Sequence, residues 1–412
     1  MIAPKLRFSE FKDEWIEKKI GNLINIKSGL GFKADEYVTE KEIPLLQIEN
    51  VGYGSIKWGN NVKYVPTEYL KKHENLALKI NDIVLALNRP VTNDQLKISK
   101  LTSKDIPSIL YQRVGKIETK DLNIDSSFIF QYFQIYLKDY IVKSSLGSDQ
   151  PFISILDLYA QKIEIPQIQE QTKIAEFLSA VDDKISQLTR QLELLNQYKK
   201  GVMQKIFSQE IRFKNDNGED FGEWEEVKFS DIFIEIKDKV GNKNIETYSI
   251  TAGKGFVSQS EKFGRDISGS QNENYIVLGK KDFSYNKGNS KTYKFGCVYL
   301  NNTGQNIAVP NVFISFRAKK NNIAHNFYAK LFEHHYLDRY LRQLISSSAR
   351  MDGLLNISKE GFFEIPLPFP SKPEQEKIAE FLTAIDERID HTTAQLTHTK
   401  QWKKGLLQQM FV

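Results

Sequence analysis

Glu170-Gln171-Thr172-Lys173-Ile174-Ala175-Glu176-Phe177-Leu178 is matched, 204 positions further on, by Glu374-Gln375-Glu376-Lys377-Ile378-Ala379-Glu380-Phe381-Leu382. Carried forward without a gap, 170–207 and 374–411 agree at 20 of 38 positions, and both close on Lys-Lys-Gly followed by a final Phe. Chance agreement would be about two or three positions, since even common residues are a modest share of a chain. A repeat of this strength sets the architecture before any single element is assigned.

The repeat extends outward. Ile153-Ser154 pairs with Ile357-Ser358, and Pro166 with Pro370. Tyr136-Leu137 and Tyr140 pair with Tyr336-Leu337 and Tyr340. The front is repeated as well, Leu6-Arg7-Phe8 and Glu14-Trp15 against Ile211-Arg212-Phe213 and Glu223-Trp224. Between these marks, over 27–125 and 240–325, no convincing identity is found. The unit therefore has a common frame and a divergent middle. The boundaries that follow are a first globular domain over 1–166, a first long helix over 167–209, a second globular domain over 210–370 and a second long helix over 371–412.

Both helical segments lack proline after Pro166 and Pro373. Val181, Ile185, Leu188, Leu192 and Leu195 alternate steps of four and three, the seam of a coiled coil. Ile385, Ile389 and Leu396 supply a weaker seam on the second copy, which has threonine at 392 and 399. Neither helix can bury its stripe alone, so the two are expected to pair. Like units in one chain predict antiparallel helices about a pseudo-two-fold, with Phe411 close to Leu6-Arg7-Phe8, giving a quasi-circular molecule. Val202, Ile206, Leu406 and Met410 are read as core. The globular parts read as mixed α/β (α+β) with short strands, such as 43–48, 82–87 and 275–278, and Asp125-Ser126-Ser127 suits a helix cap.

With 412 residues the chain exceeds one compact core, while 40% hydrophobic and 26% charged residues suit a globular protein. No apolar run is long enough to cross a membrane, and the first residues lack a signal-peptide core, so a cytoplasmic location without membrane contact is expected. Cys297, the single cysteine, excludes an internal disulfide and multi-cysteine metal sites. A formal charge of +5 leans towards an anionic partner.

Enzyme signatures are missing. There is no Walker loop and no His/Cys ligand pattern. Gly29-Leu30-Gly31 and Gly253-Lys254-Gly255 read as turns, because neither opens a βαβ unit. No catalytic, cofactor-binding or metal residue is assigned. The middle of each unit instead carries basic, amide and aromatic residues suited to DNA: Lys27, Arg89, Lys97, Lys100, Gln112 and Arg113 in the first, and Lys254, Arg265, Lys280, Lys281, Tyr285, Lys291 and Arg350 in the second. Arginine can grip guanine with two hydrogen bonds, whereas lysine chiefly neutralises phosphate. The residues alone leave open a free-standing two-headed DNA binder, a solitary enzyme and a coiled-coil scaffold.

Taken together, the repeated Glu-Gln-x-Lys-Ile-Ala-Glu-Phe-Leu, the preceding 163–166 and 367–370 with their prolines, and the openings 11–15 and 221–224 resemble the specificity subunits of bacterial type I restriction–modification systems. Tyr248–Gly255 and Lys281–Asn286 resemble elements of that family's recognition domains. The likeness covers nearly the whole chain. It implies that each globular domain reads one half of a bipartite site in double-stranded DNA, while the helix pair sets the unread spacer and docks two methyltransferase (M) subunits. S-adenosylmethionine would bind the M subunits, and ATP and Mg²⁺ the restriction (R) subunits, leaving this chain non-catalytic.

Overall fold

The motif's opening glutamates explain why the repeat begins where it does. In the computed structural model, which describes residues 4–144, 153–263, 269–288, 293–319, 322–345 and 355–411, the chain forms two compact units, Met1–Thr189 with Ala394–Val412, and Arg190–Thr393. In the first unit the Glu170 carboxylate is buried and accepts both Nε and Nη2 of Arg7 at 2.7 Å, with Trp15 Nε1 at 3.4 Å. In the second, Glu374 accepts Nε and Nη2 of Arg212 at 3.1 and 3.0 Å, and Trp224 Nε1 at 3.0 Å. The neighbouring glutamines complete each clasp. Gln171 Nε2 donates to the Pro166 carbonyl at 2.9 Å while its oxygen accepts Asp125 N; Gln375 repeats this with Pro370 and Ala324 N. A buried charge is tolerated only when fully partnered, so each motif locks the entry of a long helix to the front of its own unit.

Those helices are Ile168–Phe207 and Lys372–Met410, each about 60 Å long at ~1.5 Å per residue. Each contributes its opening half to one unit and its closing half to the other. Within the first unit Asp182 receives Lys403 at 2.7 Å and Phe177 meets Trp402 edge-on at 6.0 Å. Within the second, Lys199 bonds Asp386 at 2.5 Å. In each case the start of one helix lies against the end of the other, so the pairing is antiparallel. Val181, Leu188, Ile385 and Leu396 are buried, and Ile185 and Ile389 pack partly buried against the cores. Leu192 and Leu195 are half-buried and lie outside the core clusters. Thr392 takes a buried place and returns its hydroxyl to the Arg388 carbonyl.

Val202, Ile206, Leu406 and Met410 are core residues. Phe411 stacks on Tyr132 at 4.8 Å, and Leu6 N donates to the Gln409 carbonyl at 2.9 Å. The corresponding bond in the second unit, Ile211 N to the Lys205 carbonyl, is an ordinary loop closure. The same joint is thus made across a continuous chain once and between distant residues once.

The divergent middles share a sheet. In the first unit it runs Ile24–Ser28, Val114–Thr119, Ile83–Ala86, Ile98–Lys100, with Tyr53–Gly54 added at the edge. In the second it runs Phe233–Glu235, Ile314–Ala318, Phe283–Asn286, Cys297–Leu300. Even the register recurs: Ile83 faces Lys100 as Phe283 faces Leu300, and the turns before these strands close alike, Asp82 on Lys79 N and Asp282 on Gly279 N, both at 2.8 Å. One face of the first sheet (Ile83, Leu85, Ile98) packs on Phe128, Ile129 and Phe133 of helix Ser126–Ser144, which Asp125 caps through Phe128 N. Its other face (Val84, Ala86, Val114) packs on a second β layer. Burial on both faces gives the strands their continuous apolar runs. The second sheet packs Phe283, Tyr285 and Phe316 on Phe327, Tyr328, Leu331 and Phe332 of helix His325–Glu333 and its surroundings.

Candidate nucleic-acid interface

Three of the first unit's candidates lie on loops at one end of this sheet's strands. Gln112 and Arg113 form the turn between strands Ile109–Leu110 and Val114–Thr119; Arg89 follows the neighbouring strand Ile83–Ala86. Backbone bonds knit these loops together: Leu87 N to the Arg113 carbonyl at 2.9 Å, Gln112 N to the Leu30 carbonyl at 3.0 Å, and Gly29 N to the Val114 carbonyl at 3.1 Å. Arg89 and Arg113 adopt φ of +44° and +64°, a region that disfavours side-chain-bearing residues and is retained mainly where it serves a purpose. Both are exposed, and among the described residues neither guanidinium has a hydrogen-bond or ion-pair partner. By contrast Arg7 and Arg212 are consumed by the clasps, which raise their pKa through the glutamate hydrogen bonds.

Lys27 lies in register with Lys116 on the adjoining strand, half-exposed. Lys97 and Lys100 have structural work instead. Lys97 Nζ donates to the Ile48 carbonyl at 2.6 Å, and burial lowers its pKa; Lys100 Nζ donates to Ser127 Oγ at 2.8 Å.

The corresponding strand ends of the second sheet are built differently. A hairpin, Tyr248–Thr251 with Gly255–Ser258, carries Lys254 at its tip between Gly253 and Gly255, both at positive φ. These glycines make a turn, as their sequence suggests. Gly253 N donates to Tyr299 Oη at 2.8 Å, and Asn286 Nδ2 donates to the Ile250 carbonyl at 3.2 Å, fastening the hairpin to the end of strand Phe283–Asn286. Lys280 and Lys281 sit at the opposite end of that strand, so they do not join Lys254; Lys281 also bonds Asn302 Oδ1 at 3.4 Å. Tyr285, expected to face DNA, is not accessible to it. It is fully buried, its ring stacks on Phe362 and its hydroxyl donates to the Phe295 carbonyl, so no base can reach it. Arg265, Lys291 and Arg350 lie outside the described residues. Cys297 is half-buried, and burial pushes its thiol up to about 11, far from a reactive thiolate.

Sequence reasoning missed an aromatic platform behind Gln112. Tyr37, Tyr111, Phe32 and His73 pack together; Phe32 and Tyr111 stack at 6.2 Å. Lys63 Nζ stands 4.6 Å over the Tyr37 ring and 5.8 Å over that of Tyr111. Tyr37 Oη donates to the Phe32 carbonyl at 2.8 Å, and burial with the Tyr111 contact pushes this hydroxyl up to about 12, so it keeps its proton. Only the Tyr111-Gln112-Arg113 triplet between apolar strands could have signalled the site.

Among the described residues no three His, Cys, Asp or Glu side chains are placed to hold a metal, and no helix is long and apolar enough to cross a membrane.

The family model described as the type I restriction modification DNA specificity domain matches residues 12–197 and again 222–399. The chain belongs to this family, and each match covers one repeat. It is 38% identical over 214 residues to the type I restriction enzyme MjaVIII specificity subunit of Methanocaldococcus jannaschii, covering 52% of this chain and 50% of that protein. It is 28% identical over 176 residues to the EcoAI specificity subunit of Escherichia coli, covering 43% of this chain and 29% of that protein. The matches thus span half or less of those relatives. A crystal structure of the type I restriction–modification S subunit from M. genitalium shares the fold, with a TM-score of 0.61 at 17% identity over 100% of this chain and 99% of that one.

Proposed function

We propose that the chain is the DNA specificity subunit of a type I restriction–modification complex, each unit reading one half of a bipartite double-stranded site. The twofold family match carries this reading, supported by the unpartnered arginines on the loops at the strand ends of the first unit's sheet. The two loop clusters differ, turn-borne arginines in one and a glycine-flanked lysine hairpin in the other, so the half-sites differ too. The long helices set the unread spacing and dock two M subunits, which bind S-adenosylmethionine and methylate adenine. R subunits add ATP- and Mg²⁺-dependent translocation and cleavage. This chain contributes recognition alone.

Mapping methylated adenines in DNA from cells carrying this chain with its M partner tests the proposal. One motif with two unlike halves is expected. Arg113→Ala should relax one position of one half, with a loss of about 1–3 kcal/mol in discrimination. Methylation without a shared motif, or unaltered when this chain is deleted, refutes it.

A further inference from the structure

Gln112 stands on the loop that leads into strand Val114–Thr119. Its side chain is exposed, yet Nε2 donates to Tyr111 Oη at 3.3 Å. Tyr111 and Tyr37 share a bond of 2.9 Å, and Tyr37 spends its proton on the Phe32 carbonyl, an acceptor only. Tyr111 must therefore donate to Tyr37, which leaves its oxygen lone pairs to accept from an amide N–H. The relay sets which way the Gln112 amide faces. Gly31 leaves room for that pose: a Cβ there would stand 2.8 Å from Gln112 Oε1. One N–H and the carbonyl oxygen of the amide then have no partner among the described residues. That pair, a donor beside an acceptor, is the complement of the adenine N7 and N6 edge in the major groove.

We infer that Gln112 reads an adenine in the half-site of the first unit, with Tyr111 as the residue that positions its amide. Arg113, next on the same turn, presents the guanidinium that suits a neighbouring guanine. The inference rests on the DNA-specificity reading and adds to it the identity of a base.

The test is selection of duplexes from a randomised library by the full chain assembled with its M subunits, followed by sequencing. The wild type should select a motif with an adenine that becomes degenerate in Gln112→Ala while the other positions stay unchanged. Discrimination at that position should fall by roughly 5- to 140-fold. Tyr111→Phe should broaden the same position while the other positions of the motif stay unchanged. Placing 7-deazaadenine there should weaken the wild type and leave Gln112→Ala unaffected. A motif that Gln112→Ala leaves intact, relaxes at a base other than adenine, or weakens uniformly overturns the inference and spares the functional reading. A wild type that selects no motif overturns both.

Discussion

Replacing Glu374 by alanine should unlock the second unit. The carboxylate is fully buried and holds three charge-assisted bonds, two from Arg212 and one from Trp224. Removing one member of a buried pair costs about 3–5 kcal/mol, because the survivor stays desolvated. Arg212 retains 21% side-chain exposure and also donates to the Phe221 and Gly222 carbonyls, which softens the loss. The expected destabilisation is therefore near the low end, about 3 kcal/mol. For a unit of this size that lowers the melting transition by about 6–12 °C. Glu374→Gln keeps an acceptor for one donor and should lose roughly half as much, in line with hydrogen bonds to charged groups at about 1.5–3 kcal/mol. Glu376→Ala, two residues along, is the comparison: its ion pair with Lys372 is exposed on both sides and should contribute between about 0 and 1 kcal/mol. Calorimetric or circular-dichroism melts of the three variants measure the effect. A Glu374→Ala loss below about 1 kcal/mol, or equal to that of Glu376→Ala, would show that the motif does not act as a clasp.

Other expectations concern the helix pair, a close backbone approach and a histidine. A double-mutant cycle on Asp182→Ala and Lys403→Ala should give a coupling of about 0.5–3 kcal/mol, whereas additive losses would mean that the pair does not hold the antiparallel register. Gly29→Ala should destabilise by about 1–3 kcal/mol in chemical denaturation, because a Cβ would sit 2.4 Å from the Tyr111 carbonyl oxygen, which is backbone and cannot step aside; an unchanged midpoint contradicts this. His335 has its pKa raised by its hydrogen bond to Asp338. Its contribution to stability is complete below the unfolded value, about pH 6.5, and lost as pH rises through the folded one. The wild type should therefore lose stability relative to Asp338→Asn across that window, and parallel pH profiles would count against the pair.

The sequence by itself determined the duplication, the two long helices, their antiparallel pairing and the approach of the stretch around Phe411 to Leu6-Arg7-Phe8, which the structure makes through Leu6 N and the Gln409 carbonyl. Those features follow from identity at a constant offset and from apolar spacing, both of which are local or self-referential. It also pointed to the turn at Gly253-Lys254-Gly255, where both glycines take positive φ; Gly29-Leu30-Gly31, expected as a turn, is instead extended and bridged to Tyr111, and Gly29 answers a close backbone approach there. The common sheet of the divergent middles was illegible. Its strands need only side chains that can be buried, apolar ones or polar ones paired inside the sheet as Ser284 is with Ser315, so Ile83-Val84-Leu85-Ala86 and Phe283-Ser284-Tyr285-Asn286 occupy one position without sharing a residue. For the same reason Tyr285 looked like a surface aromatic until the helix layer covered it. Which basic groups remain free was likewise decided only in three dimensions. Lys97 and Arg89 are eight positions apart and equally charged, yet one is bound to a backbone carbonyl and the other is exposed without a described partner. The Tyr37–Tyr111–Gln112 relay spans 74 positions between its tyrosines, and hydrogen bonds between residues so distant leave no periodicity to read.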